Sequence, residues 1–180
     1  MATMQHRVPQ AWFTIDARST GTTASTLGPA WRCFTDAVMG GVSSGGMTVE
    51  KVGGRPALCL RGQVRLDNNG GFVQMALELP APPATSPGAA WRAIELEVCG
   101  NGHRYGLHLR TRGMAAPWQA WRASFEATPD WRTVHLPFDT FEPYRVGGTL
   151  EPATISRIGV VAIGARFEAE VCIARLALVS

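Results

Sequence analysis

Apolar and polar positions alternate with period two along much of this chain, and that alternation predicts strands. Leu58, Leu60, Val64 and Leu66 share one face of a segment whose other face carries Cys59, Arg61, Gln63 and Arg65. Val73, Met75, Leu77 and Leu79 alternate with Gln74, Ala76 and Glu78. Ile94, Leu96 and Val98 alternate with Glu95, Glu97 and Cys99, and Tyr105, Leu107 and Leu109 with Gly106, His108 and Arg110. Val134 and Leu136 lead into Pro137 and Phe138. Strands with one wet face belong to antiparallel sheets.

Two segments depart from this pattern. Ile158–Ile163 is a nearly unbroken apolar run and predicts a central strand covered on both faces. In Phe167–Leu178 the apolar positions are first odd (Phe167, Ala169, Val171, Ile173) and then even (Leu176, Leu178), which predicts a β-bulge near Ala174. Only Glu151–Arg157 reads as a helical turn. Pro80–Gly88 and Ser19–Ser25 read as exposed loops. About ten strands with turns every 8–15 residues give an all-β sandwich or jelly roll. The 180 residues suit one domain over 11–180, after a flexible N-terminus over 1–10.

Composition narrows the function classes. The net charge is +3, from 17 basic and 14 acidic residues, and the arginines are spread along the chain rather than clustered. No footprint for nucleic acid or for an anionic membrane surface is visible. No segment approaches the ~20 apolar residues of a membrane span. The N-terminus lacks the apolar core of a signal peptide, so the expected location is cytoplasmic, at most peripheral to a membrane. Cys33, Cys59, Cys99 and Cys172 form no Cys-x-x-Cys pair, and their spacing fits neither a zinc site nor a disulfide framework; they are expected as reduced structural thiols.

The candidate chemistry lies in two glycine-rich turns. Asp36–Ser44 combines an acid, Met39, Gly40, Gly41 and Ser43, and continues into Ser44-Gly45-Gly46. An Asp at such a position caps a turn by accepting backbone N–H groups, and the same loop could form a nest of N–H groups for an anion. Asp67-Asn68-Asn69-Gly70-Gly71-Phe72 carries Asn-Gly between two alternating runs, the strongest short hairpin signal. Gly40 and Gly70 are expected at positive φ, and the paired Asn amides as donors to a sugar or to a partner's backbone or as ties to the first loop; the two turns read first as paired turn organisers and second as a docking or ligand surface. No Walker or dinucleotide-binding pattern is present. His6, His103, His108 and His135 have no metal-ligand spacing, and Ser43 and Ser44 lack a nucleophile elbow. No metal and no cofactor are expected.

The order of these pieces resembles a known family. Asp36-Ala-Val-Met-Gly-Gly-Val-Ser43, then Gly62-x-Val64 with Asn69-Gly-Gly-Phe72, then Gly100-Asn-Gly-His-Arg-Tyr105 through Arg110-Thr111, and Trp131-x-x-Val134-x-Leu136-Pro-Phe138 resemble the complex I intermediate-associated protein 30 domain. The likeness runs from about Phe13 to Leu178. It implies a galactose-binding-like jelly roll. It also implies a non-catalytic interaction or assembly module whose partners are respiratory-complex subunits or assembly factors. It adds Tyr105 and Arg110 to the binding candidates Asp36, Met39, Gly40, Gly41, Ser43, Asn68, Asn69, Gly70, Gly71 and Phe72. The alternative is a module for a small, carbohydrate-like ligand.

Overall fold

The protein is described from a computed structural model covering residues 10–82 and 90–180. The N-terminal tail expected over 1–10 lies outside the described residues except for the exposed Gln10, as does most of the Pro80–Gly88 loop. Twelve strands appear among the described residues. They are β1 (Trp12–Asp16), β2 (Arg32–Thr35), β3 (Ser44–Val52), β4 (Arg55–Val64), β5 (Phe72–Glu78) and β6 (Ala93–Gly100). The second half contributes β7 (Arg104–Thr111), β8 (Ala120–Glu126), β9 (Arg132–Pro137), β10 (Glu142–Tyr144), β11 (Ile155–Ile163) and β12 (Phe167–Val179).

They form two antiparallel sheets. The first runs β3-β4-β12-β6-β9, with β1 also paired to β12; the second runs β10-β8-β7-β11-β5-β2. The period-two residues meet between them. Leu58, Leu60, Val73, Met75, Leu77, Ile94, Leu96, Leu107, Leu109, Ile158 and Val160 are all buried in one core. The architecture is an all-β jelly-roll sandwich of two antiparallel sheets, with helix limited to short 3-10 turns among the described residues. One of these, Pro152–Thr154, is the helical turn read in Glu151–Arg157.

β11 is central in the second sheet, between β7 and β5, and is buried from Ile158 to Ala162. β12 shifts register against β6 between Ile173 and Arg175, so the bulge falls at Ala174. That shift returns Leu176 and Leu178 to the core beside Val171 and Ile173.

Several expectations need correcting. β4 stops at Val64, so Leu66 is exposed rather than on the core face. Asp67–Phe72 is not a hairpin, because β4 and β5 belong to different sheets. A tight hairpin turn needs positive φ at both central residues, and here Asn68 (φ 58°) and Asn69 (φ 57°) take it. Gly70 then returns to extended backbone at φ −78°, which leads the chain out of the sheet. Gly45 and Gly46 belong to β3 rather than to a loop. A Cβ on Gly45 would stand 2.7 Å from the Arg61 carbonyl oxygen and 2.6 Å from a Val73 methyl, so glycine permits close strand approach there.

The thiol expectation also changes. Cys59 and Cys172 are joined in a disulfide that closes 113 residues. They lie directly opposite in the β4–β12 register, and Cys99 stands opposite Cys172 on the other side, in β6. Sequence spacing could not reveal that adjacency, which only the strand order creates. Cys33 and Cys99 are free. Reduction, or Cys172→Ala, should lower unfolding stability by about 2–4 kcal/mol in denaturant titrations, because the bridge restrains a long loop in the unfolded chain. An unchanged midpoint with and without reductant would contradict this.

Candidate functional site

Thr35 ends β2, and its hydroxyl accepts from the Ala37 N–H to start the 3-10 turn Asp36–Met39. Gly40 closes that turn at φ 83°, where its N–H reaches the Ala37 carbonyl. The Asp36 side chain is fully buried. Its Oδ1 accepts the Ser43 N–H at 2.9 Å, and its Oδ2 accepts the Ser43 hydroxyl and the Gly71 N–H, each at 2.6 Å. Ser43 Oγ in turn accepts the Arg65 N–H at 2.9 Å. The Asn68 amide donates to the Gly40 carbonyl at 3.2 Å.

The two glycine turns therefore meet around one carboxylate. Burial alone would raise the Asp36 pKa, but the donors from Ser43, Gly71 and Phe72 outweigh it and hold the group below its usual 3.8. Cβ atoms on Gly41 or Gly70 would collide with this carboxylate, so glycine at both positions is a packing requirement. Of the N–H groups read as an anion nest, that of Ser43 is aimed at the Asp36 carboxylate, and those of Gly40 and Gly41 reach the Ala37 and Asp36 carbonyls.

The other predicted residues fall elsewhere. Tyr105 is buried between the sheets, where its hydroxyl donates to Asn101 Oδ1 at 2.6 Å and accepts the Glu170 N–H at 2.8 Å. Burial pushes its pKa up to about 12. Arg110 donates to the Ala116 and Gln119 carbonyls, each at 2.8 Å, and organises the loop before β8. Phe72 is half-buried at the start of β5.

Beside the exposed Asn68 and Asn69, the interlocked turns leave several apolar side chains outside. Val38 (73% exposed), Met39 (64%), Val42 (45%) and Leu66 (48%) stand at this tip, four of the eight large apolar side chains exposed among the described residues. Patches of this kind mark interaction sites more often than chance would give.

A second buried carboxylate was not visible in the sequence. Asp16 accepts from Trp31 Nε1 at 2.8 Å and from the Arg18 guanidinium and backbone, and Arg18 also donates to the Thr22 carbonyl. Ser25 is thus buried at the end of the stretch read as an exposed loop, and Arg18 is buried just before it. On the outer face of the first sheet, Glu50 comes within 4.8 Å of the Cys59 and Cys172 sulfurs. Those sulfurs are bonded to each other, and Glu50 is engaged by Arg61 at 2.7 Å, which holds its pKa down at about 2.

A groove of about 870 Å³ opens along β7 and β8, the turn after β11 and the end of β9. His108 and Arg122 line it from strand positions that face away from the core. Burial, then the neighbouring Arg122 charge, pushes the His108 pKa down to about 4, so the ring is neutral at pH 7. The sequence signal for this groove was weak, since polar residues at alternate strand positions read simply as a wet face.

The family model of complex I intermediate-associated protein 30 (CIA30) matches residues 21–170. No curated protein sequence matches the chain. Among solved structures, the family 11 carbohydrate-binding module of cellulosomal cellulase Lic26A-Cel5E from Clostridium thermocellum is 13% identical, with a TM-score of 0.71 over 93% of this chain and 94% of that one. The Clostridium thermocellum family 11 module in complex with a β-1,3-1,4-mixed-linked tetrasaccharide is 14% identical, at TM-score 0.68 over 93% and 94%. A family 29 module complexed with cellohexaose is 11% identical, at TM-score 0.56 over 94% and 91%. At these identities the likeness is one of fold.

Asp36→Ala should cost about 3 kcal/mol or more, since three donors lose their acceptor at roughly 1–3 kcal/mol each. Gly70→Ala should cost more than Gly40→Ala, whose Cβ would meet open space but whose φ is left-handed. Equal losses in thermal melts would show that the carboxylate contact at Gly70 is slack. Because the folded pKa of Asp36 is depressed, its contribution is present above its ordinary pKa and is lost as pH falls through the folded value. The melting temperature should therefore drop below about pH 4, and Asp36→Asn should remove that part of the drop. With its motifs in place and its model matched over 150 residues, the chain belongs to the complex I intermediate-associated protein 30 family.

Proposed function

We propose that this chain is a non-catalytic binding module that docks onto protein partners through the apolar tip formed by Val38, Met39, Val42 and Leu66. The carrying observation is that the two turns close on the buried Asp36 carboxylate and leave these four apolar side chains in water. Family membership supplies the partner class: subunits or assembly factors of respiratory complex I. The location in this reading is cytoplasmic, at the periphery of the inner membrane. No helix among the described residues is long and apolar enough to cross a membrane. A Cys59–Cys172 bond recovered intact from the native host would place the chain in an oxidising compartment instead.

A second reading is a module for a small polar ligand of the carbohydrate kind. It is supported by the groove beside β7 and β8 and by a fold shared with carbohydrate-binding modules.

The docking reading is tested by crosslinked affinity capture with the full chain. Complex I subunits, identified by mass spectrometry, should be recovered, and Val38→Asp with Met39→Asp should reduce that recovery at least ~10-fold, taking such anchors at 2 kcal/mol or more, with no change in melting temperature. Undiminished recovery by the double variant, or no such subunits with the native chain, would overturn it.

A further inference from the structure

Alternation in β7 and β8 points Leu107, Trp121 and Phe125 to the core and His108, Arg122 and Ser124 to the groove. Gly106 is required in that floor, because a Cβ there would stand 2.7 Å from His108 Nε2. The charge along the groove is one-sided. Arg104, Arg122 and Arg166 line it, and Glu142 is the only carboxylate among its lining residues. Arg104 donates to the Ser124 hydroxyl at 2.9 Å, and Arg166 reaches Asp67 only at 3.7 Å on the surface.

Arg122 is the unusual member. Its guanidinium lies 3.6 Å over the Tyr144 ring. Its Nε is buried and has no hydrogen-bond partner. Glu142 stands opposite it in the β10–β8 register, yet no ion pair joins them. Burial lowers the Arg122 pKa, and no carboxylate offsets that cost. A half-buried cation stacked on an aromatic ring, with unused N–H groups, is a preformed receptor for a planar anion. Neutral His108 and the Ser124 and Thr140 hydroxyls beside it supply uncharged hydrogen-bonding groups. That mixture fits a ligand bearing both carboxylates and hydroxyls.

We propose that this groove binds an acidic oligosaccharide, with a uronic-acid carboxylate on Arg122 and neighbouring sugar hydroxyls on His108 and Ser124. The proposal rests on the second functional reading above and specifies its ligand class. The groove's volume lies within the roughly 300–1,000 Å³ of small-ligand sites, and its one-sided charge selects for anions.

The test is calorimetric titration of the full chain with hexagalacturonate, cellohexaose, poly-glutamate and inorganic phosphate, at matched ionic strength. Hexagalacturonate should bind at least ten-fold more tightly than the other three. Arg122→Gln should weaken it at least ten-fold, with Arg122→Lys intermediate. Arg104→Gln, at the exposed rim, should weaken it several-fold with an unchanged melting temperature; this keeps the test decisive if Arg122→Gln perturbs folding. Equal binding of cellohexaose would overturn the acidic class while leaving the ligand-binding reading standing. Poly-glutamate or phosphate binding as tightly would show a peptide or simple anion site and overturn the saccharide. Binding of no saccharide at all would remove both readings.

Discussion

The Asp36 carboxylate is the constraint on which the arrangement of this end of the molecule depends. The chain leaves the second sheet after β2 and enters the first at β3, and it leaves the first after β4 and re-enters the second at β5. Both crossings are glycine turns, and Asp36 accepts from both. One buried charge thus fixes two of the places where the chain passes from one sheet to the other. An ion without donors could not be kept in such a place, because desolvation would protonate it or unfold its surroundings. Ser43 extends the clamp by using its hydroxyl twice, donating to Asp36 and accepting from Arg65. The glycines follow from the same contact, since Gly41 and Gly70 have no room for a Cβ beside the carboxylate.

Most of the sandwich was legible because a sandwich has one inside. Strands such as Val73–Leu79 state their buried face in every second residue, and the phase change in Phe167–Leu178 located a bulge to the residue. What could not be read depends on which strands are neighbours. Cys59 and Cys172 are far apart in sequence and adjacent only because β12 lies beside β4. The Asn-Gly signal named a turn correctly but not its destination, since the same left-handed pair can close a hairpin or send the chain to the opposite sheet. Asp16, Arg18 and Trp31 meet across a loop whose composition looked like simple solvent exposure.

Of the candidate site, the sequence marked the right turns and read them first as paired turn organisers, but it did not show that one carboxylate joins them. An acid followed by glycines is compatible with a nest for a ligand and with a self-satisfied turn, and the difference lies in a second segment more than thirty residues away. Tyr105 and Arg110 show the same ambiguity. Each has a polar end suited to recognition, and each spends it within the fold, Tyr105 on Asn101 and Glu170 and Arg110 on Ala116 and Gln119. The family motifs thus coincide largely with the polar staples of the jelly roll, which explains how they can identify the chain without stating its chemistry.

The two kinds of charged side chain therefore carry opposite information. Asp36 is as buried as any residue in the core and has both carboxylate oxygens engaged by donors, so its presence is accounted for by the fold. Arg122 sits on the groove-facing side of β8, and it leaves a buried N–H unanswered. Stability alone does not explain such a cation, because a buried donor without an acceptor is a net cost. Its stacking on Tyr144 holds the guanidinium in place, and a guanidinium keeps its charge in proteins even where burial lowers its pKa. Fixed orientation, retained charge and an open approach are what recognition of an anion requires, and they occur together beside the groove rather than at the turns that first drew notice.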